Sequence, residues 1–424
     1  MSHFLFVFLF VVFVQCIYPQ DFMRDLPSKG LLEKLTPDNF KNEDAIVILK
    51  EQSIKVDPYV IYAWEMTHSF MTINTKIIIA KLFNESAVAR YGSVEINYPI
   101  WREKDPQNSG FVHVRVLKPN GMIYIMPARD AQEIVSREDA NGHPLQGKII
   151  AKVPNLDVGD IIQIETNIII YYGRDNSGIY YYNECDPVLF SNLCITMPKE
   201  EIPVFISFPE KQIGNPQEQQ VAQNRESGKT YFWSLKNLEG IHKESFAPTF
   251  EDQSMMTAFL VHRKQESETT INKEWTRISK LFYQFHLVQN NVNESKIEEL
   301  GFTAHDSSVT MELVDSLYTA IRKRFTIEEY NSIYPLSNHI NELFDIKRGD
   351  ASDCSYIFYN ILYHHWAQNA HVVWVRDRRK GFYKQTAPIL NWFDRLGVIV
   401  TIGKKEKLYD FDRCVAEHFV YHGI

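Results

Sequence analysis

From Asp44 onward the chain carries short runs in which apolar and polar residues alternate, the period-two signature of strands with one buried face. Ala45-Ile-Val-Ile-Leu-Lys-Glu-Gln-Ser-Ile-Lys-Val56 predicts a strand, Tyr59 to Thr72 its antiparallel return, and Gly92-Ser-Val-Glu-Ile-Asn-Tyr98 alternates cleanly. Phe111 to Leu117, the turn Pro119-Asn120-Gly121 and Met122 to Met126 predict a hairpin. Lys148 to Val153, the turn Asp157-Val-Gly-Asp160 and Ile161 to Tyr172 predict a second hairpin, with Lys229 to Leu235 as a closing strand. Many short strands joined by Gly, Asn and Pro turns imply an antiparallel β-sandwich-like domain over residues 43–240.

The period then changes. Trp275, Ile278, Leu281, Phe282 and Phe285 recur at three- and four-residue steps and predict a helix from about Asn272, inside a linker over residues 241–308. Met311, Val314, Leu317, Tyr318 and Ile321 mark a second helix over 309–324, and a third is predicted from Asp353 to about Trp366. Strands follow at His371–Arg376, Gly397–Ile402 and Lys407–Asp412. The fold class expected is therefore α+β: a strand-rich domain, a helical connector and a second α+β unit over residues 309–424.

Composition narrows the function classes. The chain has 424 residues, 45% of them hydrophobic, enough for two or three domains with real cores. A net charge of −8 without a basic run argues against nucleic acid as a partner. Phe4 to Val14 is apolar but too short to span a bilayer, so residues 1–20 read as a secretory signal peptide, with a signal anchor as the alternative, and residues 21–42 as a leader. Gln15 before Cys16 is not the small residue that a lipoprotein cleavage site uses, which disfavours anchoring at Cys16. No later segment reaches membrane-spanning length, and export to the periplasm, cell envelope or medium is expected. In such a compartment Cys185 and Cys194 are close enough in sequence to form a disulfide, two unbridged cysteines being the alternative; Cys354 and Cys414 complete the set. No His-Glu-x-x-His helix, Cys-x-x-Cys pair or phosphate-binding glycine loop occurs, so neither a metal nor another cofactor is expected.

The chemistry concentrates at Gly349-Asp350-Ala351-Ser352-Asp353-Cys354. Asp350 is a good N-cap and Asp353, three residues on, can complete a capping box. At about 100° per residue, Ala351, Cys354, Ile357, Phe358, Ile361 and His365 share one face of the helix. The first turn of a helix is where unpaired N–H groups and the macrodipole stabilise a thiolate. Position 351 meets that demand but is alanine; Cys354 lies one turn deeper among aliphatic residues, where a structural thiol is expected.

With these features the chain resembles bacterial exported proteins in which a β-rich domain of unknown function precedes a transglutaminase-like domain of papain-like fold. The resemblance rests on Asp44 to Leu49, the Val-Arg-Val-Leu-Lys-Pro-Asn-Gly hairpin at 114–121, Val153-Pro-Asn-Leu-Asp-Val-Gly-Asp160, and Tyr231-Phe232-Trp233. Lys273-Glu274-Trp275 and Leu317 to Lys323 extend it through the connector. The family's helix opens Gly-Asp-Cys-Lys-Asp-Lys, and its histidine comes in a Phe-Asn-His motif, here Phe393-Asp394-Arg395. Its orienting acid follows a leucine, approximated here by Leu408-Tyr409-Asp410. Of the Cys-His-Asp triad that the resemblance implies, this sequence supplies Ala351, Arg395 and Asp410, with Ser352 as an alternative match to the nucleophile position. Arginine stays protonated and cannot serve as general base. Relatives continue beyond this last strand, whereas the sequence stops at Ile424, which leaves a truncated unit as one expectation.

Three readings follow. The first is a non-catalytic protein that binds or scaffolds a peptide, protein or glycan, with an Arg395–Asp410 ion pair holding the old site together. The second is a cysteine hydrolase or acyltransferase using Cys354, one of His364, His365, His371 or His418 as base, and Asp410 or Asp412 as orienter. The third places binding in the first domain, where Tyr171-Tyr172 and Tyr180-Tyr181-Tyr182 flank a turn predicted at Asn176-Ser177-Gly178 and could stack on a ligand.

Overall fold

A computed structural model of the chain describes residues 29–60, 68–100, 109–138, 144–173, 176–199, 201–223, 226–242, 248–263, 271–282, 291–305, 308–328, 333, 340–377, 380–381, 384, 386–387, 389–412 and 418–421. The signal segment, Cys16, Phe285 and Cys414 lie outside the described residues. Among those residues no helix is long and apolar enough to cross a membrane.

The first part is built from β1 (Ala45–Val60), β2 (His68–Leu82), β3 (Ser93–Pro99), β4 (Ser109–Leu117), β5 (Ile123–Ile125), β6 (Ala131–Glu138) and β7 (Pro144–Lys152). It continues with β8 (Ile161–Gly173), β9 (Asn176–Tyr181), β10 (Val188–Pro198), β11 (Glu201–Phe208), β12 (Gln217–Gln223), β13 (Glu226–Leu238) and β14 (Met256–Arg263). Eight strands form one sheet in the order β12-β13-β10-β1-β2-β8-β4-β5, and two three-stranded sheets, β3-β7-β6 and β11-β14-β9, accompany it. The sheet is mixed rather than purely antiparallel, because β10 runs parallel to β1 from Val47–Val188 to Lys55–Thr196.

Two strand pairings differ from the sequence expectation. The return of β1 begins at His68, not Tyr59, because β1 keeps its ladder with β2 as far as Val60. Residues 144–152 and 161–173 do not form a hairpin: β7 pairs with β3 and β6, while β8 pairs with β2 and β4. The Asp157–Asp160 turn carries the chain from one sheet to the other. It is tied to the β4–β5 turn by Lys118, whose ammonium reaches Asp157 at 2.7 Å and the fully buried Asp160 at 2.8 Å. The two loop motifs of the sequence are thus halves of one junction.

Strand pairing also runs past residue 240. β14 lies in the expected linker, yet it forms the centre of the β11-β14-β9 sheet. That sheet separates two cores by strict alternation. Tyr180, Tyr182, Phe205, Phe259 and Val261 face the core of the large sheet. Ile179, Tyr181, Ile206, Phe208, Met256 and Ala258 face the core of the C-terminal part.

The C-terminal part contains α1 (Ile271–Phe282), α2 (Glu294–Glu299), α3 (Met311–Arg324), α4 (Ile340–Ile346) and α5 (Ala351–Asn360), with β15 (Thr326–Ile327) and β16 (Arg348–Gly349) forming a short parallel pair. β17 (Asn369–Asp377), β18 (Arg395–Ile402), β19 (Lys405–Tyr409) and β20 (His418–Tyr421) make an antiparallel sheet in the order β19-β18-β17-β20. α3 starts where Thr310 caps Leu313 N–H, close to the predicted start. α5 stops at Asn360 and a π-helical turn, Ile361–His365, completes the expected length to Trp366. All ten residues of α5 are buried. The helix is therefore the centre of the unit, enclosed by β17 and β18, α3 and α4, rather than an amphipathic helix with one inward stripe.

Gly178 in β9 lies against Phe259, where a Cβ would stand 2.6 Å from the ring. Gly178→Ala is expected to lower stability by about 1–3 kcal/mol through overpacking of the sheet that joins the two cores. Chemical denaturation reads this, and an unchanged midpoint would argue against close packing there.

Candidate functional site

The candidate site is the N-terminus of α5 and the first residues of β18. The Asp350 carboxylate accepts a hydrogen bond from Asp353 N–H at 2.9 Å, and the Asp353 carboxylate in turn accepts one from Asp350 N–H at 2.9 Å, forming the capping box that the spacing predicts. Both carboxylates are buried. Gly349 is required by this arrangement, since a Cβ there would come within 2.9 Å of Asp353 Oδ2. The Gly-Asp turn is accordingly a device for starting a buried helix.

Two serines then register the helix on the sheet. Ser352 Oγ accepts from Leu396 N–H at 2.9 Å, and Ser355 Oγ donates to the Leu396 carbonyl at 2.8 Å. Leu396 lies opposite Trp374 of β17, and on its other side the β19 ladder ends at Val398–Tyr409. Its outward peptide groups would otherwise be buried without partners, at a cost of about 1–3 kcal/mol each. Ser352 is thereby engaged in positioning. Ala351 and Arg395 directly precede two of the hydrogen-bonded residues, Ser352 and Leu396, in the sequence.

Arg395 is the charge centre of the site. Its Nε lies 3.0 Å from each oxygen of Asp410, and Nη2 lies 2.8 Å from Asp410 Oδ2. Asp412 Oδ2 is 3.3 Å from the same Nη2. The Arg395 side chain is 2% exposed and that of Asp410 7%. Burial opposes the arginine charge, and the Asp410 carboxylate outweighs it, so the Arg395 pKa stays above its ordinary value. Backbone contacts fix the acids: Asp412 N–H donates to Asp410 Oδ1 at 3.0 Å and the Tyr318 hydroxyl donates to the Asp410 carbonyl at 2.6 Å. Both acids named as orienters in the sequence thus neutralise an arginine.

The remaining candidates are dispersed. Cys354 is fully buried, and burial, with the Asp353 and Asp350 charges behind it, pushes its thiol pKa well above the ordinary range. Among the described residues, the charged groups acting on that thiol are Asp353, Asp350 and Arg322, and no histidine joins them. His364 is exposed and meets the Tyr363 ring edge-on at 5.0 Å. His365 is half-buried, its Nε2 2.7 Å from the Val292 carbonyl. His371 is exposed on β17, and the backbone of His418 pairs with Asp377 at the sheet's far edge. Asp394, next to Arg395, instead accepts Asp377 N–H at 2.8 Å and pairs with Lys380.

In the first part, Asn176-Ser177-Gly178 lies within β9 rather than in a turn. Tyr180 and Tyr182 are buried, their hydroxyls bonded at 3.0 Å to Ser191 and Thr257, while Tyr181 packs on the other core. The alternation of β9 sends them to opposite faces of a covered sheet, so they form no stacking platform. No disulfide joins Cys185 and Cys194; Cys194 sits within β10, paired with Ser53 and Phe232. Among the described residues no group of three His, Cys, Asp or Glu side chains is placed to hold a metal ion.

The ion pair makes a stability prediction. Asp410→Asn or Arg395→Met alone is expected to destabilise by about 3–5 kcal/mol, because each leaves a buried charge without its principal partner. The double change to apolar residues is expected to recover most of that loss. Urea denaturation of the two single variants and the double variant forms the cycle; strictly additive losses would contradict the coupling.

Residues 75–241 match the family DUF3857, a domain of unknown function with a solved structure. No curated protein matches the chain in sequence. Among solved structures, a protein of Parabacteroides distasonis described as a "putative protease" superposes with a TM-score of 0.64 at 14% identity, over 86% of this chain and 67% of that one. A "putative nutrient binding protein" of Legionella pneumophila aligns over 68% of this chain and 82% of that one at 10% identity with a TM-score of 0.23, too low to bear on the fold. The chain is thus mixed α+β, carries a DUF3857 match over residues 75–241 and shares its fold with the Parabacteroides protein.

Proposed function

We propose that this chain is a non-catalytic protein on a transglutaminase-like frame, serving as a binding or scaffold module for a peptide, protein or glycan. The observation that carries this reading is the buried bidentate Arg395–Asp410 pair, at positions that the motif resemblance assigns to a histidine and its orienting acid. A guanidinium does not release a proton near neutral pH, so it cannot activate a thiol or a water as a base. Ala351 in the first turn offers no nucleophile, and the buried, high-pKa Cys354 thiol does not replace it.

In peptide hydrolysis and amine incorporation assays over glutamine-containing and generic peptide substrates, the wild-type protein is expected to match a Cys354→Ala variant at blank level. Turnover by the wild type that disappears in Cys354→Ala would contradict the proposal.

We further propose that the protein is exported, on the strength of the apolar run Phe4–Val14 and the polar stretch after it. N-terminal sequencing of the mature chain from an exporting host is expected to begin after that run. A chain retaining Met1 in the cytosol would contradict export.

A further inference from the structure

The inner face of the eight-stranded sheet carries a polar strip that its alternation does not call for. Ile54 and Val56 of β1 point into the core of the first part, so Gln52 and Lys50 of the same strand point the same way. Across the ladder Gln52 stands opposite Lys76 and Lys50 opposite Ile78, and Lys76 in turn stands opposite Thr166 of β8. Gln52 Nε2 donates to Asn74 Oδ1 at 3.0 Å. Lys50, Gln52, Asn74, Lys76 and Thr166 thus form one contiguous patch in the middle of the sheet.

The patch lies between two covers. The β11-β14-β9 sheet closes the β1, β10 and β13 end: the Tyr180 hydroxyl donates to the Lys50 carbonyl at 3.3 Å, and Phe205 packs on Tyr231 and Trp233 at 4.9 and 4.7 Å. The β3-β7-β6 sheet packs over β4 and β8. Lys76 falls between them: protein atoms crowd around its ammonium, yet among the described residues the side chain stays open to solvent.

The charges there do not cancel. The Lys50 ammonium is 2.7 Å from Glu184 Oε1 and 2.8 Å from the Asn183 carbonyl, with the Tyr180 ring 5.4 Å beneath it. Lys76 makes no hydrogen bond or ion pair among the described residues. Burial and then the charge of Lys50 hold the Lys76 pKa below its ordinary value, and Glu184 only partly restores it. Two ammoniums against one carboxylate leave one positive charge between the two covers, beside amide and hydroxyl groups able to hydrogen-bond.

We infer that this gap is a binding site for a carboxylate-bearing ligand, in which Lys76 pairs with the ligand's carboxylate while the Lys50–Glu184 pair and Gln52 form its polar wall. A singly charged anion balances the surplus. A phosphate dianion would exceed that surplus by one charge and be repelled by Glu184. The inference stands apart from the reading of the C-terminal part: it concerns Lys76 alone and is unaffected by whether Cys354 is reactive.

The test is calorimetric titration of the full chain with propionate, N-acetylglycine, glucuronate and inorganic phosphate. The three carboxylates are expected to bind saturably and more tightly than phosphate, with affinity lost by roughly tenfold or more in Lys76→Gln and kept in Lys76→Arg. Preference for N-acetylglycine identifies a peptide carboxylate, and preference for glucuronate a sugar acid; either supports the site. Equal binding by Lys76→Gln, tighter binding of phosphate, or no saturable carboxylate binding overturns it.

Discussion

A buried guanidinium has to be matched by carboxylate, and the C-terminal part of this protein is arranged around that requirement. Arg395 meets Asp410 through three close N–H···O contacts and touches Asp412 at the edge. Charged, bidentate hydrogen bonds of this kind restrict both partners in distance and in plane. They fix the start of β18 against the residues that follow β19. The serines of α5 then hold the next peptide, so helix, strand and acid-bearing loop share one anchorage. The guanidinium keeps its proton in this setting and does not serve as a base.

This coupling bears on how the two parts of the chain work together. The β11-β14-β9 sheet belongs to the cores on both its sides, so a ligand pressing on the inner face of the large sheet acts on a layer that also supports the C-terminal helices. Tyr181 illustrates the connection: it sits between Tyr180 and Tyr182, which serve the first core, yet its ring meets Phe250 edge-on at 6.0 Å and packs against the core of the C-terminal part.

Much of this was legible in the sequence, and the failures have identifiable causes. The capping box was readable because Asp350 and Asp353 have the required spacing and a glycine precedes them. The Arg395–Asp410 pair was readable from position in a resembled motif, once a base-incompatible side chain and an acid fell in corresponding places. The parallel β1–β10 pairing was not, since a strand's own pattern does not name its neighbour. The β7–β8 hairpin failed because a tight turn can join strands of different sheets as readily as strands of one. The tyrosine run misled because β9 is covered on both faces, which turns a potential platform into core. A signal for the polar strip was present, in that Lys50 and Gln52 share the phase of Ile54 and Val56, but one strand alone could not show that Lys76 joins them.

What decides between a scaffold and an enzyme on this frame is whether Cys354 is a structural or a reactive thiol. The most direct measurement is the rate of alkylation of Cys354 in the native protein between pH 5 and 10, followed residue by residue by peptide mass mapping. Burial and the two neighbouring carboxylates predict a thiol that stays unmodified through neutral pH and reacts only after denaturation. Rapid modification of Cys354 at neutral pH, with an apparent pKa below that of a free cysteine, would contradict the account.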